Sequence, residues 1–380
     1  MKNHFIRLIC FLTIYSCSKD SNSIVLTKEY SFDETNSYIM LQDGESIDLI
    51  TSEDRKFEIG KVLRVKAIDN FTIEVSNFTP VDLENVTITA KINEIDQELI
   101  LFKINKISAH ALKQIRYSFL EEGTVFYTSS GEEIDLSRYK LSGINAENIT
   151  LDFSGETEIL KKLKSLNKLN WKIRWHDYGY HIYNATGDKW KIGVNAKDFR
   201  MFSGLMINLA YTVVSDEFRQ DFINETITDN AGTYMTWEDK EEVIQRLFDI
   251  EFFEASVSTD RGWGGGKDGK TFGMPGYVVD GYLANPEYPF IHMATHEIGH
   301  MLGYWHSSSM TYPQPRSVTP EELARGIKPR GISEVGARVA KILKKDYPVN
   351  IENYYKPDDF NNNSSRKFVN NNPILNCQLH

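Results

Sequence analysis

The sequence predicts an α+β fold in two units, a β-rich N-terminal domain at 23–153 and a mixed domain at 155–355. Three observations predict it. Segments such as KVLRVKAI, FTIEVSNF, NVTITAKI and ELILFKI alternate apolar and polar residues, are rich in β-branched ones and recur at short intervals, which suits a β-sandwich-like unit or a small barrel. After Gly155 apolar residues return at helical spacing, first in GETEILKKLKSLNKL, where the lysines form a solvated face over an apolar stripe. At 380 residues the chain is also longer than one core usually supports.

The N-terminus is unlike the rest. Lys2 and Arg7 precede a run from Leu8 to Ile14 that is too short to span a bilayer and suits a secretory signal at 1–17. Ile14-Tyr15-Ser16-Cys17 resembles the lipobox of bacterial lipoproteins, and the resemblance implies a lipid anchor on Cys17 and a place at the bacterial outer membrane or cell surface. The alternative is a plain secretory signal cut nearby and a secreted protein. With Cys10 in the apolar run and Cys17 lipidated, Cys377 is left alone in a mature chain, which excludes an internal disulfide. The net charge of −10 offers no basic field, so nucleic acid is not an expected partner and membrane contact is expected through the lipid alone.

Along the first unit, ISAHALKQIRYSFL interrupts the strands with a helical period. In the second, WKIRWHDYGYHIY and KWKIGV read as strands, and KDFRMFSGLMINLAYTVVSDEFRQDFI reads as partly helical and partly extended. Thr236 with Asp239 caps a helix over EEVIQRLFDI. Gly262, Gly264, Gly265 and Gly266 form a bend that lacks the order of a phosphate-binding loop. Residues 271–279 read as an edge strand, because Pro275 cannot donate to a ladder and Gly273 and Gly276 weaken an interior position; such an edge can pair with an extended peptide. Thr319, Pro320 and Glu322 start one late helix and Ser333 another, and the asparagine-rich 356–380 is an expected disordered tail.

The chemistry concentrates in HEIGHMLGYWHSSSMTY at 296–312. On a helix, His296 and His300 project from one face about a turn apart, so both imidazoles can reach one Zn²⁺. Glu297 is turned about 100° from His296, where its carboxylate reaches a water at the metal rather than the metal itself. Gly303 tolerates the left-handed conformation that ends a helix, and the returning chain brings His306 in as a third ligand. Three imidazoles leave a coordination position open, as catalytic rather than structural zinc requires. Chance agreement with HExxHxxGxxH in such a chain is on the order of one in ten thousand. His292 lies four residues before His296, but a third ligand from the same helix would stand a turn too far away; it is read as a supporting or packing residue. Asp280 and Glu287 are candidates for orienting an imidazole, and His110, His176 and His181 have no spacing partner.

HEIGHMLGYWH resembles the extended zinc motif of the metzincin metallopeptidases, and with GWGGGKDGKTFGMPGYVV it is similar to bacterial HEIGH-type peptidases of that clan, over roughly residues 250–313. The resemblance implies a metzincin-like α/β catalytic domain with a twisted mixed sheet, an active-site helix and a C-terminal helix. It also implies a zinc endopeptidase acting on polypeptides. Ser308-Ser309-Met310-Thr311-Tyr312 is similar to the methionine turn of astacin-like members, which makes Met310 the base of the zinc pocket and Tyr312 a further zinc ligand or an oxyanion stabiliser. Only Ser307, Ser308 and Ser309 separate His306 from Met310, a shorter connection than in the families compared. A core methionine and an ordinary buried tyrosine are the plain alternatives. Two other functions fit the same residues: a zinc amidase acting on peptidoglycan peptides, and a surface binding lipoprotein whose zinc site is vestigial.

Overall fold

The structure, a computed structural model, describes residues 57–95, 97–139, 141, 143–175, 196–258, 271–276, 278, 290–313, 320–326, 329–350 and 352–353, with two short strands at 29–30 and 37–38. The signal segment, Cys17, the glycine-rich bend, Asp280, Glu287, His176, His181 and the tail with Cys377 lie outside the described residues. The fold is mixed α+β, with three sheets among the described residues.

Two sheets come from the N-terminal half. The first joins β6 (Leu83–Ile92), β7 (Glu98–Ile107), β9 (Val125–Thr128), β10 (Glu133–Asp135) and β11 (Ile149–Ser154) in the order β10-β9-β7-β6-β11. All these pairs are antiparallel, and β1 (Glu29–Tyr30) adds in parallel to β7. The second is antiparallel throughout, with β2 (Ser37–Tyr38), β8 (Ala111–Arg116), β5 (Thr72–Asn77) and β4 (Leu63–Asp69) in that order. Inward residues of both, among them Ile73, Val75, Ile88, Phe102, Ile104 and Ile115, belong to one apolar cluster. The helical reading of ISAHALKQIRYSFL fails here: residues 111–116 form β8, and only α1 (Phe119–Glu122) is helical. Pairing with β5 along five residues outweighs a local periodicity too short to nucleate a helix.

The third sheet has the order β14-β13-β12-β3, from β14 (Thr271–Pro275), β13 (Phe252–Ser258), β12 (Lys172–Trp175) and β3 (Phe57–Glu58). β12, β13 and β14 are parallel, which demands a long crossover between β12 and β13. Among the described residues, three helices lie in that interval: α3 (Ala196–Val214), α4 (Asp216–Asn224) and α5 (Trp237–Phe248). Residues 198–214 are helical throughout, with no extended portion before Ser215. Phe199, Phe202, Leu205, Met206, Leu209 and Val213 are all buried, so α3 serves as a core helix. The Ser215 hydroxyl caps α4 by accepting the Phe218 N–H, and Thr236 and Asp239 form the expected capping box on α5.

β3 belongs to the N-terminal half yet completes a sheet of C-terminal strands. α2 (Glu158–Ser165) follows β11 directly, buries Leu160 and Leu163, and leads to Trp171, whose indole N–H donates to the Leu247 carbonyl. α6 (Phe290–Met301) packs against β14 and against α8 (Ile332–Leu343), with the short α7 (Pro320–Ala324) between the two helices in sequence. The α8 helix begins one residue before Ser333, with Gly331 as N-cap. No described helix is long and apolar enough to cross a membrane.

Candidate metal centre

α6 owes its position to Ile291, Ala294 and Ile298, buried on its inner face. That face holds the helix against the core and leaves His296 and His300 projecting together at its C-terminal end, their ring centroids 4.7 Å apart. The helix ends as a Schellman motif: Tyr304 N–H donates to Gly299 O at 3.0 Å, Gly303 N–H donates to His300 O at 2.9 Å, and Gly303 has a φ of 87°. This turn reverses the chain within two residues. His306 thereby comes back to the helix end, with its Nε2 3.0 Å from His300 Nε2.

One ligand atom from each of His296, His300 and His306 lies within 4.8 Å of the others, so the three can hold a metal ion. A tetrahedral site with bonds of about 2.0–2.1 Å has ligand atoms about 3.3 Å apart, close to the observed His300–His306 separation. The ring hydrogens fit as well. His296 Nδ1 lies 3.0 Å from Thr311 O and His300 Nδ1 lies 2.8 Å from Tyr304 O. A carbonyl only accepts, so each Nδ1 carries the hydrogen and each Nε2 keeps the lone pair a metal needs. Main-chain carbonyls therefore orient His296 and His300, while Asp280 and Glu287, the acids that the sequence offers for such a role, lie outside the described residues. Burial drives the His296 imidazole down to about 4 and also lowers His300, which keeps both rings neutral, the state in which imidazole ligates.

Glu297 is buried beside the ligands, and loss of hydration raises its carboxyl to about 8. His306 is exposed, so the centre opens to solvent on that side. Met310 is completely buried. Tyr312 is 45 % exposed, which excludes an ordinary buried tyrosine, and its ring centroid lies 4.5 Å from that of His296 and 4.6 Å from that of His306. His292 is directed elsewhere, its Nε2 being 3.9 Å from Glu334 Oε1. His110 is a buried residue of the β7–β8 turn, outside this centre.

The short serine connection is accommodated by hydrogen bonds that sequence reasoning missed. Ser308 Oγ donates to Thr228 O at 2.6 Å and accepts the Met310 N–H at 2.9 Å, and Thr228 N–H donates to Ser309 Oγ at 2.7 Å. Each serine thus holds a sharp turn that would otherwise leave main-chain groups unpaired in the interior. Asn230 clamps the other end: its amide donates to Gly303 O at 2.9 Å and its carbonyl accepts the Trp305 N–H at 2.8 Å. Arg246 donates to Leu302 O. The sequence Asp229-Asn230-Ala231-Gly232 signals a turn, but nothing local reveals what that turn grips.

β14 ends its sheet, as Pro275 predicts, but the strand stops at Pro275 rather than 279 and all five of its residues are buried. Taken together, fold and site define a mixed α+β protein with a candidate three-histidine metal centre at the end of a buried helix. Comparison with protein-family models, curated proteins and solved structures finds no match to this chain.

Proposed function

We propose that the protein is a zinc-dependent endopeptidase in which Glu297 is the general base. The observation that carries this reading is a buried carboxyl group directly following the first of three converging imidazoles, two of which, His296 and His300, have their Nε2 lone pairs left free by carbonyl-bound Nδ1 hydrogens. Zinc, when bound, supplies Lewis acidity toward a peptide carbonyl and lowers the pKa of water. His296, His300 and His306 would hold it. Burial alone raises the Glu297 carboxyl, and the charge of a bound cation beside it would restore the ionised form; Glu297 would then take a proton from the attacking water and return it to the departing amine, a role for which its exclusion from the ligand set frees it. Tyr312, whose ring neighbours those of His296 and His306 and is partly in solvent, would donate to the oxygen that gains charge. Met310, completely buried and close to Gly299 of the ligand helix, would form the floor of the site.

Cleavage of a denatured protein, assayed alongside metal content, tests this. Glu297→Gln is expected to bind zinc as the parent does and to lose at least about a hundredfold in hydrolysis, the ordinary scale of general base catalysis. His296→Ala is expected to lose the metal. Full activity in either variant removes the corresponding role, and a parent protein that binds zinc but cuts neither proteins nor peptidoglycan peptides favours a binding lipoprotein instead.

A further inference from the structure

The centre described above does not account for Ser333, which is completely buried at the second position of α8. Its Oγ lies 3.0 Å from Thr311 O, the same carbonyl that accepts the His296 Nδ1 hydrogen, and 3.0 Å from Glu334 Oε2. A hydroxyl has one hydrogen, so these two acceptors compete for it. Glu334 has other donors: the Gly331 N–H reaches its Oε2 at 3.1 Å in a capping arrangement, and His292 Nε2 faces its Oε1. Among the described residues, the side chains that reach Thr311 O are His296 and Ser333 alone. Nearby, Ile332 N–H donates to Met310 O at 3.0 Å and Ser309 Oγ donates to Arg330 O at 3.1 Å, so the start of α8 is stitched to the methionine turn on both sides of this point.

We infer that Ser333 is a positioning residue for the metal centre: its hydroxyl fixes the Thr311 carbonyl, and that carbonyl sets the tautomer and ring plane of His296. This deepens the proposed function and rests on its reading of His296 as a ligand. The physical basis is that a ligating imidazole is only as well aimed as the acceptor of its other nitrogen. A peptide carbonyl held by one hydrogen bond can tilt; one held by two from separate elements, helix α6 and helix α8, cannot tilt without breaking one of them. The C-terminal helix is thereby coupled to metal affinity, although none of its residues is in the ligand group.

The test uses the full chain and two variants read by Zn²⁺ competition and by the visible spectrum of the Co²⁺-loaded protein. Ser333→Ala is expected to weaken Zn²⁺ binding about tenfold, the low end for loss of an outer partner, and to alter the Co²⁺ absorption bands through a loosened His296. Glu334→Ala, which removes the helix cap but leaves the hydroxyl hydrogen to Thr311, is expected to lower thermal stability while binding Zn²⁺ as the parent does. Ser333→Gly removes the same hydroxyl and replaces the alanine variant if that one does not fold. Parent-like affinity and spectrum in the variant lacking the hydroxyl overturn the inference, as does an equal loss of affinity in Glu334→Ala, which would make helix capping the cause. If the parent chain itself binds neither metal, the fault lies in the proposed metal centre and the role of Ser333 falls with it.

Discussion

His110 shows how a single residue can couple stability to pH. It occupies the tight turn between β7 and β8 with a φ of 52°, a conformation that histidine adopts more readily than most side chains, and it is wholly buried. Loss of hydration is the main force holding its imidazole well below the usual histidine range; the positive charge of Arg200 adds to this, and the main chain of Phe78 partly opposes it. The native ring is therefore neutral where the unfolded ring, near pH 6.5, starts to take a proton. A folded pKa below the unfolded one means that its contribution is complete above pH 6.5 and is lost as the pH falls, by at most about 1.4 kcal/mol per pH unit for one group. The buried rings of His296 and His300 push in the same direction, so the slope of the parent alone does not isolate His110. His110→Asn does, since asparagine accepts the left-handed turn without a titrating ring. Denaturant unfolding of metal-free protein between pH 7 and 5 is expected to show a shallower decline for the variant, and identical slopes would refute the assignment.

At the scale of elements, the junction of α6 and α8 decides whether the metal centre is held. A methyl group built on Gly336 of α8 would meet Thr295 Oγ1 at 2.5 Å and Cγ2 at 2.7 Å. Thr295 cannot easily rotate away, because its hydroxyl donates within α6 toward Ile291 O at 2.8 Å, with His292 O at 3.1 Å. Gly336→Ala therefore sets two effects against each other: a gain of up to about 1 kcal/mol in helix propensity and an overpacking cost of about 1–3 kcal/mol in a filled interface. The cost is expected to win, giving a net loss of about 1 kcal/mol in unfolding free energy together with weaker Zn²⁺ binding. A stabilised variant would show that the helices separate freely. This junction also marks the limit of what the sequence discloses. The helix of His296 and His300, its end at Gly303 and the return of His306 are legible because every determinant lies within eleven residues in the chain. The groups that hold this hairpin are not: Thr228 reaches Ser308 across 80 positions and Asn230 reaches Gly303 across 73. A threonine or asparagine in a loop carries no periodicity that points to a partner so distant. The same reason defeats the helical reading of residues 111–116, whose strand character comes from β5 rather than from their own order.

For the whole molecule, the change of texture near Gly155 predicts two units, and the packing ties both sides of that point into one apolar cluster. Two residues, Phe57 and Glu58, are too few for any strand pattern, yet they pair with Lys172 and Ile173 as β3. Just after them Ile59 N–H donates to Trp171 O at 2.9 Å, and the Phe57 ring stacks on Phe78 of the N-terminal half at 6.3 Å. Phe57 thus belongs to both halves, buried to 1 % exposure where the third sheet meets the strands before it. A fragment of residues 155–355 would lose β3, leaving the outer edge of β12 unpaired and the Trp171 surface that Ile59 covers open to water. An unpaired edge next to uncovered apolar surface favours association between copies. The fragment is expected to melt at a lower temperature than the full chain and to aggregate, and Phe57→Ala in the full chain is expected to cost about 3–5 kcal/mol in a single unfolding transition. Calorimetry separates the possibilities. A 155–355 fragment that stays monomeric with the thermal transition of the full chain would mean that the metal centre stands on its half alone; a lowered, coupled transition makes the N-terminal strands part of what holds α6, and with it His296 and His300, in place.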